Sequence, residues 1–197
     1  MIKNYLLSMV LLFSGLTTWA QLVAADDTVP TVNSSTTQFG VYNVLNNDTW
    51  NGAPVSSSLF TVTQISSSHP SIQVTQNGWV TVYQGVPAGS YTLTYQICQN
   101  SNPGNCATGT VTINICTLTA PIVVAEGGCN DPGSITLYGL PENGEWVVTM
   151  EYNNTVISTY QGTGDSYTLS GLVPGAYRFR VAHNGCTSPY SITEYIG

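Results

Sequence analysis

A 197-residue chain with a formal net charge of −7 and only 7% charged residues has no basic surface to meet a phosphate backbone, which argues against a nucleic-acid partner. Its strong cations are Lys3, Arg178 and Arg180 alone, so Thr, Ser, Asn and Gln carry the solubility. That profile fits an extracellular structural or adhesive protein.

Residues 1–20 read as a secretory signal peptide. Lys3 supplies the positive start, Tyr5 to Leu16 is an apolar run, and Thr18-Trp19-Ala20 offers a small-residue cleavage site before Gln21. The run is too short to span a bilayer, and no later stretch is long and apolar enough. The expected location is outside the cell or at its surface, with the periplasm as the alternative.

The remaining chain divides into two halves, residues 25–115 and 119–197. In the first, Thr37 to Leu45 reads as a strand, and Asn46 to Gly52 is dense in turn residues. Leu59 to Ile65 and Ser71 to Thr75 follow, and Asn77-Gly78 joins the latter to a strand from Trp79 to Tyr83 as a hairpin. Strands over Tyr91 to Cys98 and Thr108 to Ile115 complete about seven, a sandwich count. The second half repeats the pattern at Ser134–Tyr138, Glu145–Tyr152, Val156–Tyr160, Ser166–Leu169, Ala176–Ala182 and Tyr190–Tyr195. No window has a helical apolar period over three turns.

One phrase occurs in both halves. Pro87-Ala88-Gly89-Ser90-Tyr91 and Pro174-Gly175-Ala176-Tyr177 each read as a tight turn feeding an alternating strand that opens on Tyr. A Tyr placed there sends its hydroxyl back to the preceding loop in immunoglobulin-like sandwiches, the tyrosine corner. The fold class predicted is therefore all-β, two tandem immunoglobulin-like or cadherin-like β-sandwich domains.

All five cysteines fall in the exported part, where disulfides persist. Cys98 and Cys106 flank a loop of turn formers and are expected to staple a hairpin. Cys129 and Cys186 lie near the first and last strands of the second half and are expected to cross-link them. Cys116 is left over, either buried and inert or paired with another chain.

Ala25-Asp26-Asp27-Thr28, followed by Asn43 to Val55, resembles the opening of cadherin-like repeats in bacterial surface adhesins. The continuation Gln76 to Val82, Val86 to Cys98 and Asn102 to Cys106 is similar to repeats of gliding-motility-associated adhesins of Bacteroidetes. Gly133 to Leu137, Leu169 to Leu172, Pro174 to Tyr177 and Gly185 to Pro189 look like another repeat of the same adhesins. The resemblance implies secreted, surface-displayed, non-catalytic modules whose partner is an extracellular surface, glycan or protein. In such repeats, acidic residues at the domain entrance and in an early loop can meet around calcium. Asp26, Asp27, Asn47 and Asp48 supply oxygen ligands of the kind calcium takes, and the same residues also serve as plain turn formers.

Catalysis has little footing: His69 and His183 stand in different halves, no nucleophile-elbow sequence is present, and Glu142, Glu145 and Glu151 read as surface carboxylates. Carbohydrate binding is the second reading. Trp79 and Trp146, inside alternating strands, read as core plugs, which leaves Trp50 in the Asn/Asp loop as the candidate ligand contact. Self-association is a third, through Cys116, through sparsely charged strand edges, or by addition of the segment Asp27 to Ser35 to a neighbour's sheet.

Overall fold

The computed structural model describes residues 21–127 and 133–197, and the predicted signal peptide and Cys129 lie outside the described residues. The strands of the first half are β1 (Leu22–Val23), β2 (Asp27–Asn33), β3 (Gln38–Asn43), β4 (Thr49–Trp50) and β5 (Ala53–Pro54). They continue with β6 (Phe60–Ser67), β7 (Ile72–Val74), β8 (Trp79–Val82), β9 (Gly89–Gln99) and β10 (Asn102–Cys116). The second half holds β11 (Ile122–Glu126), β12 (Gly133–Tyr138), β13 (Trp146–Tyr152) and β14 (Thr155–Gly162). It ends with β15 (Ser166–Leu172), β16 (Gly175–His183), β17 (Cys186–Thr187) and β18 (Glu194–Ile196). Among the described residues the one helical turn is a 3-10 turn at Val44–Asn46.

Alternation builds the layers. In β9, Leu93, Tyr95 and Ile97 are buried while Thr92 faces solvent, the period-two pattern of a sheet with one wet face. The sheet β2-β10-β9-β6 thus turns Val29, Val62 and Val111 inward against Ile72, Val80 and Val82 of the sheet β3-β8-β7. A separate core gathers Ile135, Leu137 and Leu169 of β11-β12-β15 against Trp146, Val148, Phe179 and Val181 of the facing sheet, which runs β14-β13-β16-β17. Two β-sandwiches follow, each with its own hydrophobic centre.

Both tyrosine corners form. The Tyr91 hydroxyl donates to the Pro87 carbonyl at 3.0 Å, and Tyr177 donates to the Val173 carbonyl at 2.8 Å. Each bond fixes the turn that launches its strand. Close packing of aromatic on glycine also recurs. Tyr95 lies opposite Gly109 and Trp146 opposite Gly162, and a Cβ on either glycine would sit 2.7 Å or 2.5 Å from the ring.

Three expectations need correction. Asp27–Asn33 is not a free arm: β2 runs parallel to β10 within the same chain, Val29 beside Ile113. Pro30, which cannot donate to a ladder, marks it as an edge strand. Cys186 pairs with Cys116, not with Cys129, and Cys116 is therefore neither a free thiol nor a handle for another chain. The pairing follows from topology, because β10 carries Cys116 out of the first sandwich and β17 returns Cys186 to the same place. Trp79 is not a core plug. It is 46% exposed, because the inward positions of β8 are Val80 and Val82.

The Cys98–Cys106 disulfide bridges directly opposed residues of β9 and β10. At the junction Asn33 adds a polar clasp: its Nδ2 donates to the Leu118 and Thr187 carbonyls at 2.7 and 2.8 Å, and its Oδ1 accepts from the Leu118 amide at 3.2 Å.

Candidate functional site

The Asp/Asn group at the start of the first sandwich divides into residues that converge and residues that do not. β2 turns Asp27 inward, and the 3-10 turn at Val44–Asn46 delivers Asp48, leaving them 3% and 1% exposed. Between them stands the Tyr95 hydroxyl, 3.1 Å from Asp27 Oδ2 and 3.2 Å from Asp48 Oδ1. The same hydroxyl is 3.0 Å from the Ala25 carbonyl and 3.4 Å from that of Val44. Asp48 Oδ1 also accepts from the Ala25 amide at 2.8 Å, tying the entering strand to the loop.

The Tyr95 proton faces a surplus of oxygen acceptors, and Asp27 Oδ1 is buried without a partner at normal hydrogen-bond geometry, although the Tyr42 and Asn47 side chains lie close enough to favour the charged form of Asp27. A second proton relieves this. Burial pushes the Asp48 carboxyl up to about 6, with the Asp27 charge adding to it, and burial also raises Asp27. The Tyr95 phenol is pushed up by burial and then by both carboxylates, so it stays a donor.

This arrangement does not fit calcium. The position between the carboxylates is filled by a hydroxyl. Asp26 Oδ1 is turned away to accept from the Thr110 amide at 2.9 Å, and Asn47 Nδ2 donates to the Asp26 carbonyl at 3.1 Å. Among the described residues no three His, Cys, Asp or Glu side chains are grouped to hold a metal. Tyr95 was the residue that strand alternation alone overlooked. A Tyr at an inward position facing a cross-strand glycine needs a polar partner for its hydroxyl, and that was the available signal.

Trp50 is half-buried, its ring edge-on to Phe60 at a centroid distance of 5.7 Å and its Nε1 buried. The exposed aromatic face is elsewhere. Phe39 is 75% exposed and meets Tyr83 edge-on at 6.3 Å, with Trp79 on the same outer surface of β3 and β8. Gly40 packs against the Trp79 ring, where a side chain would meet it at 3.5 Å. Trp146 is fully buried, its Nε1 donating to the Gly164 carbonyl at 2.8 Å.

The imidazoles serve turns. His69 Nδ1 accepts from the Ser71 amide at 3.2 Å, and His183 Nδ1 lies 3.0 Å from the Glu145 carbonyl oxygen. Glu151, on β13, pairs with Arg178 across the strand at 2.5 Å. Tyr190 beside it, then Arg178, hold its carboxyl below the usual range.

A family model described as "Bacterial Ig domain" matches residues 20–114, the stretch that builds the first core. The fold is immunoglobulin-like. Among solved structures, the FN1-FN3 domains of chicken CNTN1 are 15% identical with a TM-score of 0.38, covering 90% of this chain and 68% of that one. The BSP domain of a biofilm associated protein is 19% identical with a TM-score of 0.32, covering 90% of this chain and 29% of that one. The human Desmocollin-1 ectodomain is 9% identical with a TM-score of 0.36, covering 88% and 35%. No curated protein matches the chain.

Proposed function

We propose that this chain is an exported, non-catalytic adhesion or spacer module of the bacterial cell surface, of the kind its sequence resembles in Bacteroidetes adhesins. The observation that carries the reading is the pair of immunoglobulin-like sandwiches clamped by Cys116–Cys186, a rigid holder for loops. Two disulfides suit an oxidising compartment, and no helix among the described residues is long and apolar enough to cross a membrane. Surface labelling of intact cells with antibody to the mature chain, together with attachment of beads coated with it, tests both parts. Labelling only after lysis overturns surface display. Labelled cells with inert beads leave the spacer function and remove the adhesive one.

A second reading, carbohydrate binding, is favoured by the outer face that Phe39, Trp79 and Tyr83 share. It is aromatic and exposed, and the faces of such rings are where neutral sugar rings stack. Loss of glycan-array binding on Trp79→Ala supports it. Binding that survives Trp79→Ala and Phe39→Ala sinks it.

A further inference from the structure

A cleft of about 470 Å³ opens at the junction of the two sandwiches, within the size range of small-ligand sites, which favour domain interfaces. One wall is Pro30 of β2 with Thr36 and Gln38 leading into β3, and the other is Arg180 of β16 with Thr187 and Tyr190. The Asn33 clasp and the Cys116–Cys186 bridge hold these walls together. Arg180 is the unusual member. Arg178 and Arg180 project from the same face of β16, and both guanidinium groups lie over the Tyr190 ring, at 4.7 and 5.0 Å from its centroid. Arg178 is paired with Glu151, whereas Arg180 makes no ion pair or hydrogen bond with the described residues. Glu151 is therefore already answered, and a positive charge is left over in a chain of net charge −7.

We propose that this cleft binds a carboxylate-bearing sugar, a uronic acid, either free or at the end of a glycan, with Arg180 receiving the carboxylate. The planar Arg180 guanidinium lies over Tyr190 and gives no hydrogen bond to the described residues, so its N–H groups can donate to a carboxylate through two parallel hydrogen bonds. Thr36, Gln38 and Thr187 line the same cleft, where Gln38 Nε2 donates to Thr36 Oγ1 at 2.8 Å, and their remaining hydroxyl and amide-oxygen sites match the ring hydroxyls of a sugar. A single carboxylate fits the local surplus charge. A run of carboxylates, as in an acidic peptide, meets repulsion from the rest of the chain. The cleft is separate from the Trp79 face, and it binds its ligand whether the module adheres or merely spaces.

Calorimetric and NMR titration of the mature chain with glucuronic acid, glucose, a glucuronate-ended oligosaccharide and an oligoglutamate peptide tests the proposal. Expected are saturable binding of glucuronic acid below about 10 mM, none by glucose, and amide shifts centred on Thr187 and Tyr190. Arg180→Gln should weaken binding at least about tenfold, with Arg180→Lys intermediate because it keeps charge but loses the fork. Tighter binding of the oligosaccharide than of the monosaccharide identifies a glycan end as the source, and equal binding identifies the free sugar. Preference for oligoglutamate, equal binding of glucose, or shifts centred away from the cleft overturns the proposal. If Arg180→Gln does not fold, the shift map of the unaltered chain and the Arg180→Lys titration still decide. A Trp79→Ala chain that binds glucuronic acid normally separates this site from the aromatic face.

Discussion

Tyr95 holds two buried carboxylates on one hydroxyl, and the consequence is a stability that depends on pH in an unusual direction. A carboxyl whose folded pKa is raised keeps its proton after the unfolded chain has released its own. Its contribution is therefore greatest at acid pH and falls as pH rises from about 4 to about 6. For Asp48 the loss is about 3 kcal/mol across that window. Denaturant melts of the first sandwich at pH 4 and pH 7 should show this decrease, and Asp48→Asn should abolish most of it, since an amide needs no proton to donate to the Tyr95 oxygen. Glu151 in the second sandwich has the opposite sign. Its pKa is lowered, so its stabilisation is present above the unfolded value and is lost on acidification. Amide exchange resolved by residue should thus show the two halves responding in opposite senses to acid. Because the hydroxyl occupies the position between Asp27 and Asp48, excess chelator should leave the melt of the first sandwich where it is.

At the level of strands, each half uses the same two devices, a tyrosine corner and an aromatic laid over a cross-strand glycine. Tyr91→Phe and Tyr177→Phe each remove one bond to a loop carbonyl, and a loss of about 1 kcal/mol is expected. The Tyr177 change should be the larger of the two, since its ring is 2% exposed and the abandoned carbonyl is less open to water. Gly109→Ala drives a methyl into the Tyr95 ring and should cost about 1–3 kcal/mol by thermal or denaturant melting. The repeated Pro/Gly-to-Tyr phrase made the corners legible, because the turn residues and the strand period both lie within a few positions. β2 was not legible. Its pairing partner β10 is far along the chain, and Pro30 weakens its own strand signal. Trp79 was misplaced for a related reason: alternation states that one face is inward without saying which, and here Val80 and Val82 take the core.

On the scale of the molecule, the Cys116–Cys186 bridge closes a loop with a sequence separation of 70 and joins the exit of one sandwich to the last hairpin of the other. Loop entropy assigns such a closure about 4 kcal/mol. A Cys116→Ser, Cys186→Ser chain should melt lower, and small-angle scattering should report a broader distribution of lengths while the Cys98–Cys106 hairpin stays intact. An unchanged scattering profile would assign the rigidity to the Asn33 clasp instead. The only strong cations after Lys3, Arg178 and Arg180, lie in the middle of β16, so trypsin should leave the folded chain whole while cutting it after reduction and heating.

Local signals reach as far as local physics does. Turn residues, period-two alternation, the Cys98–Cys106 staple and the all-β class rest on interactions between neighbours in sequence, and the chain declares them unaided. The choice of Cys116 over Cys129, the burial of Asp27 and Asp48 around Tyr95, and the placing of Arg180 at the junction without an ion-pair partner among the described residues depend on segments far apart in sequence. Those were decided only when the sheets closed on their cores, because desolvation and partner selection are properties of the packed arrangement rather than of any stretch of residues.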